Sequence, residues 1–310
     1  MKGGVVMWPI EDWPAMGEQW RRAEAYGFDT AWVYDHLAWR GHTPWDEADT
    51  SLAAPAALTS RIRLGTLVTS PNFRTPLPTA AAIRTLDRIS SGRLRVGIGA
   101  GGDAHLSDGD VLGRVWTPHE RADRFAEYVE HLDALLSESP ASAVGEHFSA
   151  VDVSIAAGVG DGRPPFLIAG NGPRGMALAA AHGNGWIANP QVPDGGDAYA
   201  EVAANVRRFE AMCWENGRDP GDMERVLLTG FTDEPWLASV GAFEDLLGRY
   251  AALGFTDVAI HWPRPGTQWA AEWKVFEEIA AYTADVLPTL QPARTRRRGQ
   301  APATTDILLA

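Results

Sequence analysis

Three observations in the sequence predict an α/β chain, a (β/α)8 TIM barrel with insertions after strand 4 and before strand 5. Short apolar runs without alternation, the pattern of strands buried on both faces, each precede a stretch of helical spacing, and eight such pairs occur. Strict alternation of strand and helix requires parallel strands joined by right-handed crossovers, and eight units within about 290 residues suit a closed barrel better than an open sheet. No linker-like composition interrupts the chain before about residue 290, so one domain is expected over 1–290, with 291–310 as a flexible C-terminal tail.

The elements follow in order. Val5-Val6-Met7 opens as a strand, and a helix over 13–26 stops at Gly27, the residue type that most readily ends a helix. A strand over 30–34, a weak helix over 46–60 and a strand over 62–69 rich in branched residues come next. A helix over 77–89 precedes Gly92, strand four runs over 94–100, and the helix over 119–136 carries Phe125, Val129, Leu132 and Leu136 at helical spacing. The segments 101–118 and 137–163 exceed an ordinary loop and are expected to be lids or insertions. Beyond them lie strands over 166–169, 186–188, 226–230 and 257–262, with helices over 174–182, 198–214, 243–253 and 270–286. In such a barrel the active site lies at the C-terminal ends of the strands.

Composition removes several classes of function. The chain has 310 residues and a net charge of −13, which disfavours nucleic acid or anionic lipid as a partner. No run of about 18 apolar residues and no signal-peptide pattern is present, so a cytoplasmic protein without a membrane span is expected. Cys213 is the single cysteine, which rules out an internal disulfide and a thiolate metal site. The histidines form no H-E-x-x-H or close ligand cluster, so no metal is expected. No G-x-S-x-G elbow supports a hydrolase. The two lysines, Lys2 and Lys274, fall at no strand end suited to a Schiff base.

Three stretches point to a site. From Pro164 to Pro190 the chain reads as strand, Gly170-Asn171-Gly172 turn, helix starting at Pro173 and second strand; the exposed helix-start amides suit a phosphate, and the same glycines also suffice for a tight turn. Gly97 to Gly102 matches G-x-G-x-x-G, but it ends a fourth strand and leads into a loop rather than a helix, so it is not a dinucleotide fingerprint. Its glycines instead let a flat ring or a phosphate approach the backbone. Strand two ends in Tyr34-Asp35-His36, polar groups on the expected catalytic rim, and Trp8, Trp39, Trp45 and Trp262 fall near strand ends, where aromatic walls suit a planar cofactor or an apolar substrate.

These residues carry a resemblance. Ala25 through His36, Leu64-Gly65-Thr66-Leu67-Val68, Ser91 through Gly101, and Leu167 through Trp186 are together similar to the luciferase-like flavin- or F420-dependent oxidoreductase family, in order and over nearly the whole chain. The resemblance implies a barrel that binds the deazaflavin F420 or FMN, usually as a homodimer. It places Asp35 and catalytic His36 by the reactive ring, and Leu67-Val68 as a bulge, often with a non-proline cis peptide, behind it. Ala100, Gly101 and Gly102 with Gly170, Asn171, Gly172, Pro173 and Arg174 would hold the cofactor's polar tail and phosphate. His105 matches a cofactor-contacting position, and Trp8, Trp39, His261 and Trp262 are assigned to the substrate. Two departures stand out: Gly102 replaces the glutamate of the family's sugar-phosphate dehydrogenases unless Asp103 substitutes for it, and Asn189-Pro190-Gln191 replace their phosphate-binding lysine.

The leading expectation is hydride transfer between F420 and a small organic substrate, with His36 as acid or base. F420 is preferred over FMN on the arginine-rich, lysine-poor composition and the Asp35-His36 pair. The alternatives are an FMN monooxygenase using O2 and reduced flavin from a partner reductase, and a non-catalytic cofactor-binding barrel.

Overall fold

The first strand, β1 (Lys2–Met7), lies between β2 (Thr30–Val33) and the last barrel strand, and the chain winds from there strictly in parallel. In the computed structural model, residues 1–102, 105, 107–160, 162–192 and 196–293 are described. The remaining elements are α1 (Trp13–Ala25), α2 (Ala48–Leu58), β3 (Arg63–Thr69), α3 (Pro76–Ile89), β4 (Leu94–Ile98), α4 (Asp108–Leu112), α5 (Pro118–Ser137), β5 (Ala141–Val144) and β6 (Ser149–Val153). They are followed by β7 (Phe166–Ala169), α6 (Pro173–His182), β8 (Gly185–Ala188), α7 (Ala198–Glu215), β9 (Glu224–Leu228), α8 (Val240–Ala251), β10 (Asp257–His261) and α9 (Trp273–Asp285). The sheet closes in the order β1-β10-β9-β8-β7-β4-β3-β2, the expected (β/α)8 barrel.

Local chemistry sets the element ends. Thr117 and Glu120 form a reciprocal capping box at the start of α5, and Glu47 caps α2 by accepting from Thr50 N at 2.6 Å, which is why α2 starts at Ala48 and not at 46. Trp32 points into the barrel and is fully buried; a Cβ on Gly4 would lie 2.6 Å from its Nε1, and one on Gly65 2.6 Å from its Cζ3. Glycine on the two neighbouring strands is what makes room for the indole. Below it, Arg95 Nη1 donates to Asp257 Oδ1 at 2.9 Å and to Thr30 Oγ1 at 3.0 Å, and Nη2 pairs with Glu224. The barrel floor is therefore an ion-pair layer, and its upper end is free for a site.

Several expectations change. Of the two forms expected for the segment 137–163 it takes the insertion: it contains the antiparallel hairpin β5–β6, tied to the outside of α5 where Glu127 accepts from His147 N at 2.9 Å and Phe148 N at 2.6 Å. Strands two, four, seven and eight of the barrel stop one or two residues earlier than expected. The expected tail is not wholly detached. Ala293 N donates to Ala251 O at 3.0 Å; ahead of the tail, the N-terminal amine of Met1 donates to Leu287 O at 3.0 Å and Leu290 O at 2.7 Å. Residues 294–310, with the arginine cluster, lie outside the described residues. Among the described residues no helix is long and apolar enough to cross a membrane.

Candidate active site

The C-terminal ends of β2, β3, β4, β7, β8 and β9 surround a cavity of about 540 Å³. One wall is backbone. Strand β4 runs out through Gly99, Ala100, Gly101 and Gly102, all on the cavity, beside Leu67 and Val68, which are joined by a cis peptide bond at an irregularity of β3. A Cβ on Gly99 would lie 2.4 Å from Val68 Cγ2, and one on Gly101 2.2 Å from Asn72 Nδ2. The missing side chains let Val68 project and keep this wall flat, as a planar ring requires.

The adjoining wall comes from Ala169, Gly170, Asn171, Ile187 and Asn189. Asn171 Nδ2 donates to Asn189 O, and Asn189 N donates to Asn171 Oδ1 at 3.2 Å, so this pair clasps the ends of β7 and β8. Asn189 Oδ1 is buried with no partner among the described residues, a free acceptor on the cavity wall that a ring N–H would satisfy. Helix α6 begins at Gly172 with no side-chain cap, and a Cβ there would meet nothing within 4 Å. Gly170 has a different reason: its Cβ would lie 2.7 Å from Gly175 Cα, so close packing of turn on helix demands glycine.

Polar chemistry gathers at the end of β2. His36 Nδ1 contacts Asp108 Oδ2 at 2.8 Å, and Asp108 Oδ1 accepts from Leu37 N at 2.7 Å and Ala38 N at 3.2 Å. A carboxylate already accepting two amide N–H groups takes a third proton donor, which places the His36 proton on Nδ1 and leaves Nε2 as the acceptor. Asp35 is buried and bound by Arg74, whose Nη2 donates to its Oδ1 at 2.8 Å while Nη1 pairs with Asp49 Oδ2 at 2.9 Å and Nη2 also with Glu47. Burial pushes Asp49 up to about 7 against the opposing pull of Arg74. On the inner side, the Tyr34 hydroxyl and His261 Nε2 share a 2.6 Å hydrogen bond. Burial pushes His261 down to about 3 and Tyr34 well above its usual value, so both are neutral.

The structure brings Asp35, His36, Trp39, Leu67, Val68, Ala100, Gly101, Gly102, Gly170 and Asn171 onto this cavity. It separates the others. Trp8 meets Trp39 edge to face at 5.0 Å between ring centroids, and His261 lies behind Tyr34 against Trp269 at 4.5 Å. Trp262 is on the outside of the barrel, 5.3 Å from Phe276 and 5.4 Å from Trp273, because successive residues at a strand end face opposite sides. His105 is exposed and 3.4 Å from Asp110, off the cavity wall, and Arg174 turns to Asp123 on α5. Gly172 and Pro173 are at the start of α6 beside the cavity and not on its wall. Asp103 lies outside the described residues. Sequence reading missed Asp108, Arg74, Ser70, Asn189 and Phe231; of these Ser70, Asn189 and Phe231, each next to an expected strand end, carried a local signal.

A parallel (β/α)8 barrel with a flat glycine wall and a carboxylate-held histidine on its C-terminal rim defines a barrel oxidoreductase that takes a planar cofactor. The chain belongs to the luciferase-like monooxygenase family, whose model matches residues 3–232. It is 30% identical over 329 residues to an F420-dependent glucose-6-phosphate dehydrogenase of Beutenbergia cavernae, covering 89% of this chain and 92% of that one. A protein of the same name from Amycolatopsis mediterranei is 32% identical over 210 residues, 60% of each chain. The fold matches that of the coenzyme F420-dependent tetrahydromethanopterin reductase of Methanopyrus kandleri with a TM-score of 0.73, at 19% identity, over 94% of this chain and 99% of that one.

Proposed function

We propose that this chain transfers hydride between F420 and a small organic substrate, with His36 as the acid–base group. The observation that carries the proposal is His36, fixed by Asp108, on the edge of a cavity whose other side is the bare backbone of Gly99 to Gly102. The cofactor named for the two dehydrogenases fits these walls: the glycine strip accepts a planar ring, Asn189 Oδ1 offers an acceptor for a ring N–H, and the uncapped start of α6 offers amides to a phosphate. When bound, F420 supplies a two-electron hydride acceptor that forms no oxygen adduct.

The protein's part is positioning and proton handling. With Nδ1–H held by Asp108, His36 Nε2 accepts the proton of a substrate hydroxyl during oxidation and returns it during reduction. Arg74 fixes the Asp35 side chain at the cavity edge, and the walls of Leu228, Ile187 and Phe231 exclude water from the reacting carbon. Parallel titration with F420 and FMN, followed by quenching of intrinsic tryptophan fluorescence, tests the reading: tighter binding of F420 is expected, and binding of FMN alone would transfer the assignment to a flavin monooxygenase. The family resemblance further suggests a cytoplasmic homodimer working with a flavin or F420 reductase; sedimentation of the purified protein checks the dimer.

A further inference from the structure

Resting on the hydride-transfer reading, we infer that the substrate is an uncharged secondary alcohol, or its ketone, with an apolar body, and not a sugar phosphate or another polyanion. The first ground is the placement of cations. Lys2 begins β1, at the far end of the barrel, 3.9 Å from Glu224. Lys274 is exposed on α9, 3.9 Å from Glu278. No lysine therefore reaches the rim.

Arginine does not fill the gap. Among the described residues lining the cavity, Arg40 is the one arginine, and its guanidinium lies 4.8 Å over the Trp39 ring. Arg74 is committed to Asp35, Glu47 and Asp49. Arg264 lies behind the wall, 4.4 Å over the Trp8 ring and 3.4 Å from Glu11. Among the described lining residues, a phosphate dianion entering this cavity would lose its hydration and meet Asp35 and Asp108 with Arg40 as the one arginine.

The second ground is what the cavity does offer. Trp39, Phe231, Leu228, Ile187 and the Tyr34 ring form the apolar part of the lining; in its polar part Asp35 is bound by Arg74, Asp108 by His36 and Asn171 by Asn189, beside Arg40, Ser70 and Gln191. Such a surface favours a substrate that buries a hydrocarbon body and presents one oxygen. In oxidation the carbinol C–H bond breaks with its electron pair passing to the oxidised cofactor, the hydroxyl proton passes to His36 Nε2, and the C=O bond forms; reduction reverses each transfer.

Binding is measured by calorimetry with cyclohexanol, 1-phenylethanol and glucose 6-phosphate, each with and without F420, on the wild type and Trp39→Ala. The alcohols should bind at least roughly tenfold more tightly than the sugar phosphate, and Trp39→Ala should remove about tenfold of that affinity, the equivalent of about 1.4 kcal/mol of lost apolar burial. Equal or tighter binding of glucose 6-phosphate, abolished by Arg40→Ala, would overturn the inference. So would alcohol affinity indifferent to Trp39→Ala. Selective alcohol binding in a protein that takes up no F420 would uphold the substrate class and overturn the cofactor reading, so the two failures are distinguishable.

Discussion

Asp108 Oδ2 lies 2.8 Å from His36 Nδ1 across 72 residues of sequence, while its Oδ1 accepts the backbone N–H groups of Leu37 and Ala38. One carboxylate thus sets both the path of the chain after β2 and the orientation of the imidazole. His36→Ala should lower single-turnover reduction of F420 by roughly 10²–10⁴-fold with little loss of thermal stability, since Asp108 keeps its two amide donors. Asp108→Asn should lower turnover while leaving F420 affinity unchanged, because the amide now donates to Nδ1 and puts the histidine proton on the working nitrogen. Normal turnover of His36→Ala would refute the catalytic assignment.

Gly172→Asp separates the two uses of the α6 turn. Aspartate is a good helix N-cap and its Cβ meets nothing within 4 Å, so melting temperature should hold or rise slightly. Its carboxylate occupies the amides an anion needs, so F420 affinity should fall. Unaltered affinity in the folded variant would remove the phosphate from this helix start.

The floor of the barrel makes a stability prediction. Arg95 and Asp257 are buried beside the half-buried Glu224, and Arg95→Ala should cost about 3–5 kcal/mol, because both carboxylates lose their guanidinium. Urea denaturation is the measurement, and a loss below 1 kcal/mol would show that water replaces the guanidinium at no cost.

His261 makes a prediction about acid. Its folded value of about 3 lies below the usual 6.5, so the unfolded chain binds more protons between those values. The stability it contributes is complete above about pH 6.5 and is lost as pH falls toward 3, about 2 kcal/mol by pH 5. His261→Gln should flatten that part of the melting temperature against pH curve. An unchanged slope would show that His261 gains solvent before it protonates.

The legible parts of the chain were local ones. Phe166–Ala169 was read as a strand to the residue, and α6 to within one residue, because an apolar run, a glycine turn, a proline at the first helical position and a closing glycine all act within a few residues of each other. The hairpin β5–β6 was not read, because what holds it is Glu127, on the preceding helix, and not an alternating pattern of its own.

The sequence alone determined the alternation of eight strand–helix units, hence the barrel, the rim on which Asp35 and His36 stand, and the glycines that bare the backbone at 99–102. Only the tertiary structure decided which side chains share that rim. Asp108 reaches His36 from an insertion and Arg74 reaches Asp35 from another strand's loop, while Trp262 faces α9 and Trp39 faces the cavity. The physical reason is one of range: propensity, capping and hydrophobic period act over a few residues, whereas charge pairing and the direction of a strand's last side chain depend on the register in which distant strands close the barrel.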